Sequence, residues 1–306
     1  MPKQMIFLLL FLAHFVWGGG FIVLKLVMGD LHISQVLLGR VMLAALIYVI
    51  IWKKIPKPDY QKGDWKYLLL LALCEPFLLF SFETLGLSYT TASQAGMIVG
   101  CTPLLVALGA LVLYGERLSK RCISGILMAV TGVIIVSALG GATVDAPNPL
   151  LGNFFMLCAV LSAACYSLTV KFLAQRYSFL FLSAVQVFGA TVLFLPVALS
   201  KPLPTEISWV SVAGMLYMGI GITFLVYLII NYALTQVKAA HVMLFSNLIP
   251  ISTLILAFVV LGERLSAVQY CGVALVLGGM MFAGMPESVH DSGDVQTEIQ
   301  EQQVSA

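Results

Sequence analysis

The sequence predicts an all-α membrane protein in which ten transmembrane helices form two inverted five-helix repeats. Three observations lead to this prediction: the chain is very apolar, it contains ten apolar runs of membrane-spanning length, and one pentapeptide recurs at matching points of its two halves. Of the 306 residues, 60% are hydrophobic and 10% are charged, whereas a soluble domain carries about 25% charged residues. Lipid is therefore the expected solvent.

Each of the ten apolar runs approaches the roughly 20 residues that a helix needs to cross a bilayer. The first run resembles a signal peptide, but it is long, contains Trp17 and lacks a convincing cleavage site, so we expect a retained helix. The predicted spans are Met5–Met28, Ser34–Trp52, Lys66–Leu85, Thr91–Tyr114, Cys122–Leu139, Leu151–Phe172, Phe179–Ser200, Ser208–Ala233, Ala239–Leu261 and Val268–Gly284.

The distribution of lysine and arginine predicts the orientation, because cytoplasmic loops carry the excess of these residues. Placing the N-terminus in the cytoplasm puts twelve of the 16 on the inner side and four on the outer side. We therefore expect a multi-pass protein of the plasma membrane, in a bacterium the inner membrane, with both termini cytoplasmic. Residues 286–306 are polar and lack hydrophobic periodicity, which predicts a disordered tail. Topology explains the basic loops, so no nucleic-acid partner is predicted.

The pentapeptide Gly-Glu-Arg-Leu-Ser occurs at Gly115–Ser119 and again at Gly262–Ser266. An offset of 147 superimposes the two copies and also places Pro103 on Pro250. Five spans per half is an odd number, so the second half enters the membrane from the opposite face, as in transporters built from inverted repeats. The predicted organisation is a first repeat at 1–139, a linker at 140–149, a second repeat at 150–285 and a tail at 286–306.

The composition of the pentapeptide indicates a tight turn between helices. Its glycine can end one helix in the left-handed conformation, and its serine can cap the next. The glutamate and arginine would lie in the headgroup zone between them. A structural role in a helical hairpin is the main interpretation, and a role in gating is the alternative.

The chain resembles the drug/metabolite transporter superfamily, in its EamA-type branch, over about Met5 to Gly284. The resemblance implies a ten-helix basket around a central cavity, alternating access by rocking of helix groups, and export of small metabolites. The residues that carry it are Trp17-Gly18, Arg40, Ala92–Ala95, Thr102-Pro103, Ala163–Ser167, Ile249-Pro250 and the two pentapeptides.

Glu75 is the leading candidate for a functional group. It lies nine residues into the third span, roughly 14 Å from the inner end and therefore near the bilayer midplane. Pro76 follows it and interrupts the backbone hydrogen bonds of the helix. A carboxyl beside a helix break could bind substrate or a proton, and the alternative is a protonated glutamic acid bonded to a neighbouring helix. The corresponding position in the second half, Gly221 or Ile222, is not acidic.

Two further charged residues are expected at the same depth as each other, with Glu83 about 12 Å from Glu75 toward the outer side. Glu83 lies eight residues after Glu75 on nearly the same helix face, and Arg40 lies six residues into the second span from its outer end. Because an intramembrane charge costs about 2.5–3.5 kcal/mol on insertion scales, the two are expected to find partners. We predict a structural ion pair or an outer gate, with direct substrate contact as the alternative.

Other candidates for the substrate pathway are two aromatic residues on different spans and two polar residues of the ninth span. Trp17 lies mid-span rather than in an interfacial belt and could wall a cavity, with plain helix packing as the alternative. Tyr166 could present its hydroxyl to the cavity. Ser246 and Asn247 lie near mid-depth and could bind substrate or a neighbouring helix. The helix breaks are expected at Pro76, Pro103 and Pro250.

These features favour a secondary transporter or facilitative exporter of small organic metabolites, such as amino acids or amphipathic compounds, with protons as a possible coupling partner. The sequence has no phosphate-binding glycine loop with lysine, which argues against ATP-driven transport within this chain. It has no metal-ligand spacing and no catalytic cluster, so neither a cofactor nor a metal is predicted. The alternatives are an intramembrane enzyme acting on a lipid-like substrate and a non-transporting membrane scaffold.

Overall fold

The computed structural model describes residues 3–115, 118–138, 142–202, 206–236, 242 and 245–284, and this part of the chain is almost entirely helical. Eight of its helices are long and apolar enough to cross a membrane, and two further apolar helices are shorter. The long helices are α1 Gln4–Val27, α2 Ile33–Ile50, α3 Trp65–Leu87, α4 Ala92–Leu113, α5 Lys120–Ser137, α6 Pro149–Leu173, α7 Phe179–Leu199 and α8 Trp209–Ala233, and the shorter ones are α9 Leu248–Leu261 and α10 Ala267–Ala283.

The ninth predicted span, Ala239–Leu261, lies partly outside the described residues. Its described helix, α9, begins at Leu248. The predicted tail at 286–306 and the linker residues 140 and 141 also lie outside the described part of the chain.

Contacts between loops occur at two opposite ends of the helix bundle. At one end, Ser208 Oγ donates a hydrogen bond to Asp30, and Lys25 Nζ donates one to the backbone oxygen of Asp145 over 2.8 Å. At the other end, Arg176 Nη1 lies 3.1 Å from Asp64 Oδ1. Asp30 precedes α2 and Asp64 follows it, so these two sets of contacts lie at opposite ends of a membrane-spanning helix. We refer to these as the Asp30 end and the Asp64 end.

Three of the described helices are irregular, and in two of them, α3 and α4, a predicted helix break lies in or next to the irregular segment. In α3 the segment Leu73–Leu78 is wound as a π-helix around Pro76, and Glu75 has extended backbone angles of φ −148° and ψ 124°. In α8 the segment Tyr217–Val226 is also π-helical. In α4 a turn at Cys101 separates Ala92–Gly100 from Thr102–Tyr114, whose first turn contains Pro103. Pro250 lies in the first turn of α9.

Both copies of the pentapeptide begin at a helix end in the way the sequence predicts. Gly115 and Gly262 cap their helices in the left-handed conformation, with φ of 66° and 67°. Ser119 Oγ accepts a hydrogen bond from the backbone nitrogen of Cys122, and Ser266 Oγ accepts one from that of Gln269. The predicted roles of glycine and serine are therefore confirmed. Glu116 and Arg117 lie outside the described residues.

The sequence predicts only that Glu263, in the second pentapeptide, lies in the headgroup zone. In the structure it caps the N-terminus of another helix. Its carboxylate accepts hydrogen bonds from the backbone nitrogens of Ala92 and Ser93, over 2.8 and 2.9 Å, and from Ser93 Oγ over 2.7 Å. These nitrogens are at the N-terminus of α4, where unsatisfied N–H groups and the helix dipole favour an anion. The turn between α9 and α10 is thus fastened to α4.

Helices α5 and α10 pack against each other through pairs of glycines. A Cβ atom added to Gly125 would lie 2.5 Å from the backbone oxygen of Gly279, and one added to Gly132 would lie 2.5 Å from that of Gly272. Small residues at such positions let the backbones of membrane helices approach closely. The interface therefore depends on the absence of side chains at these four positions.

Replacing Gly279 with alanine is expected to destabilise the protein by about 1–3 kcal/mol, the usual cost of overpacking. The new methyl group would meet backbone atoms of α5, which cannot rotate away as a side chain can. The neighbouring Gly278→Ala is the matched control, because its Cβ would lie 3.7 Å from a flexible methionine methyl group. Thermal unfolding in detergent should show a lower midpoint for Gly279→Ala alone. Equal midpoints for the two variants would contradict the close packing of α5 and α10.

Candidate functional site

The break in α3 brings the Glu75 side chain and main chain into contact with two other helices. The backbone oxygen of Glu75 accepts a hydrogen bond from Gln186 Nε2 on α7 over 3.0 Å. Its carboxyl oxygen Oε1 accepts one from the Tyr227 hydroxyl on α8. Because Pro76 and the extended backbone of Glu75 disrupt the regular helical hydrogen bonds, partners from other helices are needed to satisfy the local polar groups. Glu75 is 2% exposed.

Arg40 is buried beside the same group. Its guanidinium carbon lies 3.5 Å from the centre of the Phe80 ring, and its Nε donates a hydrogen bond to Thr223 Oγ1 over 3.3 Å. It also interacts electrostatically with Glu83 and Glu75. The side chains of Arg40 and Glu83 are 2% and 7% exposed. The hydrogen bond of Arg40 goes to Thr223, and the attraction to Glu83 acts through space, so an ion pair with Glu83 stays a prediction.

One cation on α2 and two carboxyls on α3 are thus buried together beside α8. We call these three residues the charged cluster: Arg40, Glu75 and Glu83. If both carboxyls are ionised, the cluster carries a net negative charge inside the membrane, which is energetically costly. A proton or a cationic group of a bound molecule would neutralise it. The arrangement can therefore bind a positive charge.

Trp17 is brought to this region by α1. Its ring lies 5.4 Å from the ring of Tyr227, measured between centroids, at an angle of 34°. Tyr227 consequently contacts both Glu75 and Trp17. An aromatic pair next to a carboxyl is suited to a cationic or aromatic group.

A cavity of about 440 Å³ reaches toward the charged cluster from the Asp64 end. Its lining includes Tyr166, Gln186 and Asn231 deep in the bundle and Tyr177 and Ser178 at the Asp64 end. A second space of about 10 Å³ is also lined by Gln186, together with Ser183, Thr223 and Tyr227 among others. Such a volume is about that of one water position. Gln186 lines both spaces and donates to the backbone oxygen of Glu75, so it connects the lining of the cavity to the helix break.

At the mouth of this cavity, Arg176 and Tyr177 fasten the α6–α7 connection to Asp64. Arg176 donates to both carboxylate oxygens of Asp64, over 3.1 and 3.2 Å, and the Tyr177 hydroxyl donates to Oδ2 over 2.8 Å. Burial and the hydrogen bond to Asp64 raise the pKa of Tyr177, so it remains a donor at neutral pH.

The structure joins several of the predicted site residues and leaves two of them elsewhere. Trp17, Glu75, Arg40 and Glu83 lie together, and Tyr166 lines the neighbouring cavity. Ser246 Oγ instead lies 3.4 Å from Nε2 of His14, whose Nδ1 donates to the backbone oxygen of Leu10. Asn247 is half-buried at the turn before α9. No described hydrogen bond links Ser246 or Asn247 to Glu75.

Five residues of the site were not predicted from the sequence: Ser183, Gln186, Thr223, Tyr227 and Asn231. Gln186 and Asn231 carry a signal that was available, because each is an amide side chain inside an apolar span. The side chains of Thr223 and Tyr227 carry no such signal, since both residue types are common in membrane helices. Among the described residues there is no group of three or more His, Cys, Asp or Glu arranged to hold a metal ion.

Many apolar helices around a buried charged cluster and a cavity are typical of multi-pass membrane transporters. The chain belongs to the EamA-like transporter family, which matches it twice, over residues 4–138 and 150–285. The two matches cover nearly the whole chain.

The relatives and a solved structure agree with this assignment. The chain is 30% identical to the uncharacterized transporter YetK of Bacillus subtilis (strain 168), over 79% of this chain and 75% of that one. It is 27% identical to a probable amino-acid metabolite efflux pump of Salmonella typhimurium, over 87% of this chain and 90% of the pump. A solved crystal structure covers 92% of this chain and 98% of its own, with a TM-score of 0.67 and 17% identity, and shows the same fold.

Proposed function

We propose that the protein is a secondary transporter that exports small organic metabolites across the plasma membrane by alternating access. The observation that carries the proposal is the position of Glu75. This buried carboxyl lies at a break in a membrane helix and is bonded to Tyr227, and its backbone oxygen is bonded to Gln186, which lines a 440 Å³ cavity. Half-helices that meet around a buried polar site are the usual binding arrangement in secondary transporters.

The packing of α5 on α10 supports an organisation of ten spans in two inverted repeats, 1–139 and 150–285, joined by 140–149. The repeat offset pairs Gly125 with Gly272 and Gly132 with Gly279. In the structure Gly125 contacts Gly279, and Gly132 contacts Gly272. Such a crossed pattern is expected wherever equivalent surfaces meet about a twofold axis.

The irregular segments and the glycine caps follow the same offset. The π-helical segment of α8 corresponds to that of α3, and the left-handed Gly262 corresponds to Gly115. The two five-helix units thus share their breaks as well as their turns, which fits halves that rock about a central site.

With both termini in the cytoplasm, the Asp64 end is the cytoplasmic end and the cavity opens toward the cytoplasm. The Asp30 end is then the outer end, and it is closed by hydrogen bonds. Asp30 accepts from the Ser208 hydroxyl and backbone and from Ser211 Oγ, and these bonds hold its pKa below the usual range. Glu263 fastens α4 at the same end. A solute bound from the cytoplasm would leave after these contacts open.

Coupling to the proton gradient is assigned to Glu75. A proton and a cationic group of the solute would compete for this carboxyl, because the charged cluster can accept only one additional positive charge without becoming cationic. Tyr227 donates to the carboxyl and would reorient to admit the cationic group, whereas a protonated Glu75 still offers it an oxygen.

The proposal is tested by uptake of a pooled metabolite library into proteoliposomes, with and without a pH gradient. We expect at least one small organic solute to enter the vesicles in a protein-dependent way. A pH gradient that drives protons out of the vesicles, opposite to the solute, should increase its uptake rate. An empty result for the whole library, in vesicles shown to contain folded protein, would contradict the proposed function.

A further inference from the structure

The connection between α2 and α3, with the first turn of α3, forms an exposed surface that is both basic and aromatic. We call it the basic connection: residues 52–67. Five of the 16 lysines and arginines of the chain lie in it, and all five are exposed: Lys53, Lys54, Lys57, Lys62 and Lys66. Such a density of cations at one end of two membrane helices calls for a negatively charged partner.

The basic connection is fastened to the rest of the protein by residues other than its lysines. Arg176 Nη1 donates to Gln61 Oε1 over 2.8 Å and to the carboxylate of Asp64, and the Tyr177 hydroxyl also donates to Asp64. Among the described residues, none forms an ion pair with any of the five lysines. The lysines are therefore available to a partner outside the chain.

The two acidic residues of the basic connection leave most of its charge uncompensated. Asp64 is buried and paired with Arg176, which lies outside the connection. Asp59 is exposed. Five lysines less this one exposed carboxyl give the surface a net charge of +4.

Exposed aromatic residues alternate with the lysines at the boundary of the membrane. Because α2 ends at Ile50 and α3 begins at Trp65, Trp52 and Trp65 both lie at helix ends on the Asp64 side. They are 56% and 55% exposed, and Tyr60 between them is 53% exposed. Tryptophan and tyrosine are enriched at the level of the lipid headgroups. The excess of positive charge on cytoplasmic loops accounts for the sign of the charge here, but it does not account for the interleaved rings.

Lipid headgroups match both properties of this surface. Clusters of four to eight lysines next to a membrane helix attract anionic lipids, and each lysine raises the affinity about fivefold. An ammonium group donates hydrogen bonds to phosphate oxygens, and the neighbouring rings fit between headgroups and acyl chains. An acidic protein would match the charge alone, because the rings at the helix ends belong to the lipid boundary.

We propose that the basic connection binds the phosphate headgroups of anionic phospholipids in the leaflet at the Asp64 end. The five lysines contact the phosphates, and Trp52 and Trp65 lie beside the acyl chains. The surface adjoins the mouth of the cavity, because Gln61 and Asp64 of the same connection are bonded to Arg176. Lipid binding of this kind requires no transported solute and is measured in its absence.

Quenching of tryptophan fluorescence by brominated phospholipids in nanodiscs tests this binding. The background variant Trp209→Phe removes an 85% exposed tryptophan near the Asp30 end, which leaves Trp52 and Trp65 as the exposed tryptophans of the described chain. Brominated phosphatidylglycerol is compared with brominated phosphatidylcholine at equal mole fractions in phosphatidylcholine nanodiscs. We expect the anionic lipid to be enriched at least fivefold around the tryptophans.

Replacing all five lysines with glutamine should reduce this enrichment to less than about twofold. The five side chains are exposed, so the fold is retained. Of the twelve basic residues expected on the inner side, seven remain against four on the outer side, so the orientation is retained as well. The matched control is Lys120→Gln combined with Lys201→Gln, which removes exposed lysines outside the basic connection and should keep the full enrichment.

Three results would overturn the lipid-binding surface. The first is equal quenching by the two brominated lipids when all lysines are present. The second is an enrichment that survives the loss of the five lysines. The third is loss of enrichment on adding glycerol 3-phosphate, which would assign the surface to a soluble phosphate. Should the five-lysine variant fail to fold, the combined Lys53→Gln, Lys54→Gln and Lys57→Gln variant must lower the enrichment.

Discussion

Glu75→Gln is expected to reduce transport driven by a pH gradient at least tenfold in proteoliposomes. Glutamine has nearly the volume of glutamic acid and still accepts a hydrogen bond from Tyr227, so the fold around the α3 break is retained. It can neither ionise nor bind a proton. A carrier that depends on the titration of this group therefore loses its coupling to the gradient. The measurement is initial uptake of the transported solute at a fixed pH difference.

The control for Glu75→Gln is Glu206→Gln, which removes an exposed carboxyl and should transport like wild type. Circular dichroism and the thermal midpoint of both variants should match wild type. Full gradient-dependent transport by Glu75→Gln would show that the carboxyl is only a structural hydrogen-bond acceptor, and the proton-coupling hypothesis would then be wrong.

Arg40→Leu is expected to destabilise the protein by about 3–5 kcal/mol. Removing one partner of a buried set of charges leaves the others without compensation, and costs of this size are typical. Arg40 is the cation that acts on both Glu83 and Glu75, and its guanidinium also covers the Phe80 ring. Unfolding in detergent, followed by tryptophan fluorescence, measures the loss.

A double variant separates charge from packing. Glu83→Gln combined with Arg40→Leu should recover part of the lost stability, because it removes the carboxyl on which Arg40 acts most strongly. The surface control Arg264→Leu should cost less than about 1 kcal/mol, the value of an exposed cation–π contact such as that with Phe258. If the double variant is no more stable than Arg40→Leu, the electrostatic link between Arg40 and Glu83 carries little of the stability.

The part of the site that could be predicted consists of charged residues in apolar runs. Glu75 and Arg40 were identifiable because lipid makes an unpaired charge costly, and Pro76 next to Glu75 indicated the helix break. The left-handed caps at Gly115 and Gly262 were predictable for a related reason, since glycine followed by a capping serine is a local signal. These predictions needed only positions along one helix.

The rest of the site depends on how helices are rotated and crossed, which no single run of sequence records. Gln186 bonds the main chain of Glu75 from a helix more than one hundred residues away. The sequence places Ser246 at mid-depth, and the family resemblance places its span against the cavity; in the structure Ser246 Oγ lies beside His14. Depth in the membrane can be counted from the sequence, whereas direction around a nearly uniformly apolar helix cannot.

Solute counterflow with the purified protein tests alternating access most directly. Vesicles loaded with an excess of unlabelled solute are placed in a trace of the same labelled solute, with no pH gradient. A carrier that exposes Glu75 and its cavity to one side at a time predicts transient accumulation of label above its external concentration. Simple equilibration of label, without an overshoot, would contradict the account and indicate a channel-like path. No protein-dependent entry would indicate an enzyme or a scaffold.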